Sequence, residues 1–97
     1  MTTTTPGTRV DVDVDALKRH VPPWRVILHN DDVNTMDHVV RSLLRCVPPL
    51  TPEDAARIMQ AAHDNGQADV VECPKETAEL YRDRLESCGL TATIEPA

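Results

Sequence analysis

Four polar residues stand where they could do chemistry. Asn30, Asp31 and Asp32 are consecutive, and His63 lies about one helix further on. The acidic knot ends an apolar run, Val26 to Leu28. A helical pattern follows it, with Met36, Val39, Val40, Leu43 and Leu44 at i, i+3, i+4, i+7 and i+8. Two adjacent carboxylates and an amide at a strand-to-helix junction make poor core filler, because each polar group buried without a partner costs roughly 2–7 kcal/mol. They require a cation, a donor or water. His63 follows Met59 by four and Ala62 by one, which puts it at the edge of an apolar stripe near a helix end. Alone, it reads as a hydrogen-bonded boundary residue; beside the knot it reads as a further acceptor. Amide oxygen, carboxylate and neutral imidazole all accept hydrogen bonds, and Met36, Val39, Met59 and Ala62 would line an apolar hollow next to them. Acceptors above such a hollow suit a primary ammonium carried by an apolar side chain.

Two other chemistries use the same residues. Asp31, Asp32 and a histidine could ligate a divalent metal, but adjacent aspartates at a strand end point apart and no paired-histidine spacing supplies further ligands. Neither a metal nor a cofactor is expected. A nucleophilic mechanism would need a serine or cysteine activated by His63. Cys73, before a helix start, is the candidate, yet no dyad signature surrounds it and a structural or surface thiol is the plainer reading. His20, His29 and His38 read as exposed or boundary residues, and Lys18-Arg19-His20 as solvated.

The elements that must position these groups follow from periodicity and punctuation. Trp24 to His29 is a strand. Asn34 caps the first helix with Asp37 in its first turn, and Pro48-Pro49 forbid continuation. Thr51-Pro52-Glu53-Asp54 opens a second helix with Ala55, Ile58, Met59, Ala62 and His63 on its buried stripe, and Asn65-Gly66 ends it. Gln67 to Glu72 is a second strand. Cys73-Pro74 opens a third helix, with Ala78, Tyr81, Leu85 and Cys88 on one face and Gly89 as its stop. Leu90, Ala92 and Ile94 alternate with threonines as a closing strand. The order is β-α-α-β-α-β. Three strands cannot bury an apolar face alone, so the fold class is α+β, a two-layer α/β sandwich with a three-stranded antiparallel sheet packed against three helices. Residues 23–97 form this core domain. Residues 1–22, with a threonine-rich start and a Val-Asp alternation before Pro22-Pro23, are expected to be a flexible extension.

Composition narrows the functions. The net charge of −6 repels phosphate backbones, and with Trp24 and Tyr81 as the only aromatics there is no platform for stacking bases, so nucleic acid is not expected as a partner. Three cysteines without C-x-x-C spacing fit a reducing, cytoplasmic compartment. No apolar run approaches the ~18 residues that span a bilayer, so no membrane partner is expected.

The block Val26-Ile27-Leu28-His29-Asn30-Asp31-Asp32, with Met36 and Val39, then Met59-Gln60-Ala61-Ala62-His63, Gly66, and Gly89-Leu90-Thr91-Ala92, resembles the ClpS adaptor family from about Pro23 to Ile94. The resemblance implies a non-enzymatic adaptor. Such a protein binds N-degron substrates by a free, bulky hydrophobic N-terminal residue (Phe, Leu, Tyr or Trp) and hands them to the N-domain of a Clp AAA+ unfoldase of the ClpA or ClpC type, for proteolysis. It implies that Asn30 and His63 accept hydrogen bonds from the substrate α-amino group, with Asp31 assisting. Asp32 and Asn34 would serve the loop and the entering peptide backbone. Leu28, Met36, Val39, Met59, Ala62 and Leu90 would line the side-chain pocket, with Met36 as a gate against β-branched residues. It also implies that the N-terminal extension takes part in delivery. Asn34 stands where the family often has threonine and Ala62 where valine is common, and Tyr81 lies near a usually basic position on the unfoldase-docking surface.

Three rival functions remain. One is a diverged member with an altered N-terminal preference or a mainly regulatory role toward the unfoldase. Another is a small acid-base or metal hydrolase built on Asp31, Asp32 and His63. The last is general protein interaction, similar to that of the ribosomal stalk protein's C-terminal domain, which leaves Asn30 and His63 without a task.

Overall fold

The structure, a computed structural model, describes residues 22–97, so almost all of the expected extension lies outside the described residues. The elements are β1 (Trp24–His29), α1 (Met36–Cys46), α2 (Pro52–Asn65), β2 (Gln67–Cys73), α3 (Lys75–Ser87) and β3 (Thr91–Pro96). The sheet has the order β2-β1-β3, and both pairings are antiparallel. β1 is central because it is the most apolar strand: Val26, Ile27 and Leu28 are all buried, and only the middle strand has neighbours along both edges.

The helices supply the second layer. Val26 and Leu28 from β1, Ala92 from β3 and Val70 from β2 pack into one cluster with Leu43 and Cys46 of α1, Ala55, Ile58 and Ala62 of α2, and Ala78 and Leu85 of α3. Ile27 is buried as well but lies outside that cluster. Arg25, on the same strand, meets Glu95 of β3 at 2.8 Å and Asp69 of β2 at 3.5 Å, which ties the three strands together by charge.

The helix ends show which local signals prevailed. Thr51 caps α2 through a capping box: its hydroxyl accepts from the Asp54 N–H at 3.1 Å and the Asp54 carboxylate accepts from the Thr51 N–H at 3.0 Å. Gly66 closes the same helix at φ +89°, where a side chain would be strained, and donates its N–H to the Ala62 carbonyl at 2.8 Å. The first helix departs from expectation. Its cap is Thr35, not Asn34; the Thr35 hydroxyl accepts from the His38 N–H at 3.1 Å. Asn34 is committed elsewhere, so the helix begins one residue later. At α3, Cys73 still pairs with Trp24 as the end of β2, and Pro74 precedes the first helical residue. Among the described residues, no helix is long and apolar enough to cross a membrane.

Candidate functional site

A hollow of about 290 Å³ opens where the β1–α1 loop, α1, α2 and the α3–β3 turn meet. Its floor is apolar and well buried: Leu28 from the end of β1, Ala62 from α2 and Leu90 from the turn are each less than 5% exposed. Val39 and Met59 line the walls half-buried, and Met36, at 47% exposure, stands at the mouth on the first turn of α1. An apolar cavity of roughly 150 Å³ takes a benzene-sized ring, so this one has room for a large side chain and part of the backbone that carries it.

Polar groups gather at the rim. Asn30, Asp31, Asp32, Asn34 and His63 line the same hollow as the six apolar residues, so all eleven residues singled out in the sequence meet at one place. His29 and Thr35 line it too, and sequence reasoning missed both. His29 carried a signal in its position directly before the knot. Thr35 carried one in its hydroxyl, three residues ahead of the His38 amide.

The loop is held by three linked devices. The Asn30 N–H donates to the Gly66 carbonyl at 2.9 Å, which fastens the knot to the C-terminal end of α2, three residues from His63. The Asp31 carboxylate is the hub of the bend: its Oδ1 accepts from the N–H groups of Val33 and Asn34, both at 2.9 Å, and the Asn34 amide nitrogen reaches Oδ2 at 3.1 Å. That amide also donates to the Gly89 carbonyl at 2.9 Å, which joins the loop to the α3–β3 turn. The backbone N–H of Asn34 is the main cause that holds the Asp31 carboxyl below the usual carboxylate range. Asp31 therefore keeps its negative charge at the rim while shaping the loop. Loop-holding, assigned by the resemblance to Asp32 and Asn34, falls in this structure to Asp31 and Asn34, and Asp32 is exposed.

Asn30 and His63 are different. Both side chains are exposed at the rim, and neither hydrogen-bonds to another described residue. An amide oxygen and an imidazole nitrogen are thus available beside a fixed carboxylate. His38 ties α1 to the end of α3: its Nε2–H donates to the Cys88 carbonyl at 2.8 Å, with the buried Ser42 hydroxyl 3.4 Å away. The carbonyl can only accept, which assigns the proton to Nε2.

The arrangement fits a ligand with a cationic donor head and an apolar side chain. It does not assemble a metal centre, since no three His, Cys, Asp or Glu side chains among the described residues group closely enough to hold one. Cys73 is a half-buried thiol whose desolvation raises its pKa, which makes it a weaker nucleophile, and it does not line the hollow.

Comparison with known proteins gives a consistent result. Residues 19–93 match the family model described as ATP-dependent Clp protease adaptor protein ClpS. The chain is 42% identical over 93 residues to the chloroplastic Clp protease adapter CLPS1 of Arabidopsis thaliana, covering 96% of this chain and 58% of that protein. It is 49% identical over 80 residues to ClpS of Synechococcus elongatus, covering 81% of this chain and 84% of that one. This chain thus spans little more than half the length of the plant relative. Among solved structures, Agrobacterium tumefaciens ClpS2 bound to L-phenylalaninamide is similar with a TM-score of 0.75 and 28% identity, over 79% of this chain and 99% of that one. The two share the three-stranded antiparallel sheet and three helices in the order β-α-α-β-α-β.

Proposed function

This chain belongs to the ClpS family of Clp protease adaptors, and from that premise we propose that its hollow captures the free N-terminus of proteins that begin with a bulky hydrophobic residue. The chain then presents them to a Clp AAA+ unfoldase for degradation. The observation that carries this reading is the pairing of an apolar floor, Leu28, Ala62 and Leu90, with a rim of uncommitted acceptors, Asn30 and His63, beside the charged Asp31. The ligand named for the Agrobacterium relative has the same two parts: an α-amino group and a large apolar side chain.

Magnitudes support discrimination at both ends of such a ligand. A free α-amino group has a pKa of about 7.7–8.0 and is mostly cationic at neutral pH. Hydrogen bonds to a charged donor contribute roughly 1.5–3 kcal/mol each. Burying a Leu or Phe side chain adds roughly 1.5–3 kcal/mol, one to two orders of magnitude in affinity over a small terminus. Asn30 and His63 accept from the ammonium, Asp31 supplies negative potential, and the half-exposed Met36 sets the width of the entrance. The partner is a ClpA- or ClpC-type N-domain, met in the cytoplasm.

The test is fluorescence anisotropy with a labelled decapeptide that begins with Phe, beside its N-acetylated form and peptides that begin with Met or Val. Tight binding is expected for the free Phe terminus alone, with a loss of roughly tenfold or more in His63→Ala and in Asn30→Ala. Binding that ignores acetylation overturns amine capture.

A further inference from the structure

Two thiols without a task in peptide capture meet behind the α3–β3 turn. Cys46 is the last residue of α1 and is buried; Cys88 caps α3 and is half-buried. Both are free, and their sulfurs lie 3.4 Å apart although the residues are 42 positions apart in the chain. A disulfide has an S–S length of about 2.05 Å, so roughly 1.4 Å of closure separates the contact from the bond.

We propose that Cys46 and Cys88 are a modification site at which a peroxide drives formation of an intramolecular disulfide, clamping the end of α1 to the turn that walls the binding hollow. The connection to the hollow is short. The Cys88 carbonyl accepts from His38 on α1, the next carbonyl, that of Gly89, accepts from Asn34 of the loop, and Leu90 forms part of the floor. In the reduced protein this turn is held by hydrogen bonds without a covalent tie: the N–H groups of Cys88, Gly89 and Leu90 donate to the carbonyls of Arg84, Leu85 and Glu86, and the His38 and Asn34 side chains donate to the turn's own carbonyls.

The chemistry balances with one peroxide molecule. The more accessible Cys88 attacks as the thiolate; the O–O bond breaks, hydroxide leaves, and a sulfenic acid forms. The Cys46 sulfur then attacks the Cys88 sulfur. The S–O bond breaks, and the departing hydroxide takes the Cys46 proton as water. Two thiols lose two electrons in total, and the peroxide is reduced to two waters. This order suits the environments, because burial and the Cys88 contact push the Cys46 thiol up to about 11, which leaves it a poor first nucleophile.

The test uses the full chain treated with one equivalent of hydrogen peroxide and digested with trypsin without reductant. Cleavage after Arg45, Arg57 and Arg84 isolates peptides 46–57 and 85–97, each with one cysteine. The expected product is these two peptides joined, two hydrogens lighter than their sum, with Cys73 still titratable as a thiol. Tm is expected to rise by roughly 5–15 °C and to return on reduction. Amide exchange at residues 88–90 should slow by more than that of β1. Cys88→Ser, at a half-buried position, should abolish all of these changes. Retention of all three thiols, linkage through Cys73, or dimers in place of the internal bond overturns the proposal. The wild-type map needs no variant to fold and no peptide ligand, so its failure leaves the reading of the hollow as it stands.

Discussion

At the residue scale, Asp31 and Asn34 shape the loop, and Asn30 and His63 are the proposed acceptors on its rim. The Asn34 side chain joins two segments 55 residues apart, through the Asp31 carboxylate on one side and the Gly89 carbonyl on the other. Asn34→Ala removes both sets of bonds at a partly buried position, and a loss of roughly 1–3 kcal/mol in chemical denaturation is expected, with weaker binding of the Phe peptide. Asn34→Asp should be worse for the loop, because it sets a second carboxylate against Asp31. Asp31 also gives a pH signature. Its carboxyl is held below the ordinary 3.8 by donors of the folded loop. Its stabilising contribution is therefore complete above the unfolded value and lost as pH falls through the lower folded value. Asp31→Asn is expected to lower Tm at neutral pH, with the gap to wild type closing at acid pH below about 3.8. A gap that persists unchanged in acid would mean that the carboxylate's charge does not hold the bend.

At the element scale, the two ends of α2 do separate jobs, and substitution can separate them. Thr51→Ala breaks the capping box and should cost about 1 kcal/mol, or roughly 4–8 °C in Tm, with peptide affinity unchanged because Thr51 is at the far end from His63. Gly66→Ala meets no atom within 4 Å, so its cost is the strain of a side chain at φ +89°, roughly 1–2 kcal/mol. Unlike Thr51→Ala, it should also weaken peptide binding, because the Gly66 carbonyl holds the Asn30 backbone. Equal effects of the two variants on affinity would contradict that division. The same helix shows what is legible in a sequence. Thr-Pro-Glu-Asp and Asn-Gly are local signals with local partners, and both ends of α2 could be read directly. The start of α1 was misread because Asn34 is an excellent cap by type, and what diverts it is a carbonyl in the α3–β3 turn. The buried Ser42 was missed for a similar reason: its neighbour His38 is anchored across the fold at Cys88. The residues that line the hollow could be collected from the sequence because Asn30-Asp31-Asp32 and Met59 to His63 form a pattern together. The assignment of loop-holding to Asp31 could not, since it depends on where two oxygens point.

At the scale of the whole molecule, the site and the proposed act of delivery can be separated along the chain. Every residue that lines the hollow lies between Leu28 and Leu90, and the family match begins at residue 19. If the segment before the core serves handover to the unfoldase, its removal should spare recognition and stop transfer. The deletion of residues 1–20 is a clean perturbation electrostatically. It removes Arg9, Lys18 and Arg19 together with Asp11, Asp13 and Asp15, so the net charge stays at −6 and any long-range field that guides a cationic N-terminus is little changed. Affinity for the Phe decapeptide is expected within about twofold of the full chain, since no lining residue is lost. Degradation of a reporter that begins with Phe, by a ClpA- or ClpC-type unfoldase with its protease, should fall to the level seen without adaptor. The truncated chain, still loaded with substrate, should also compete with the full chain when both are present. Degradation at the full rate by the truncated form would place delivery in the folded domain itself, and the exposed Leu80 of α3 would be the next position to change.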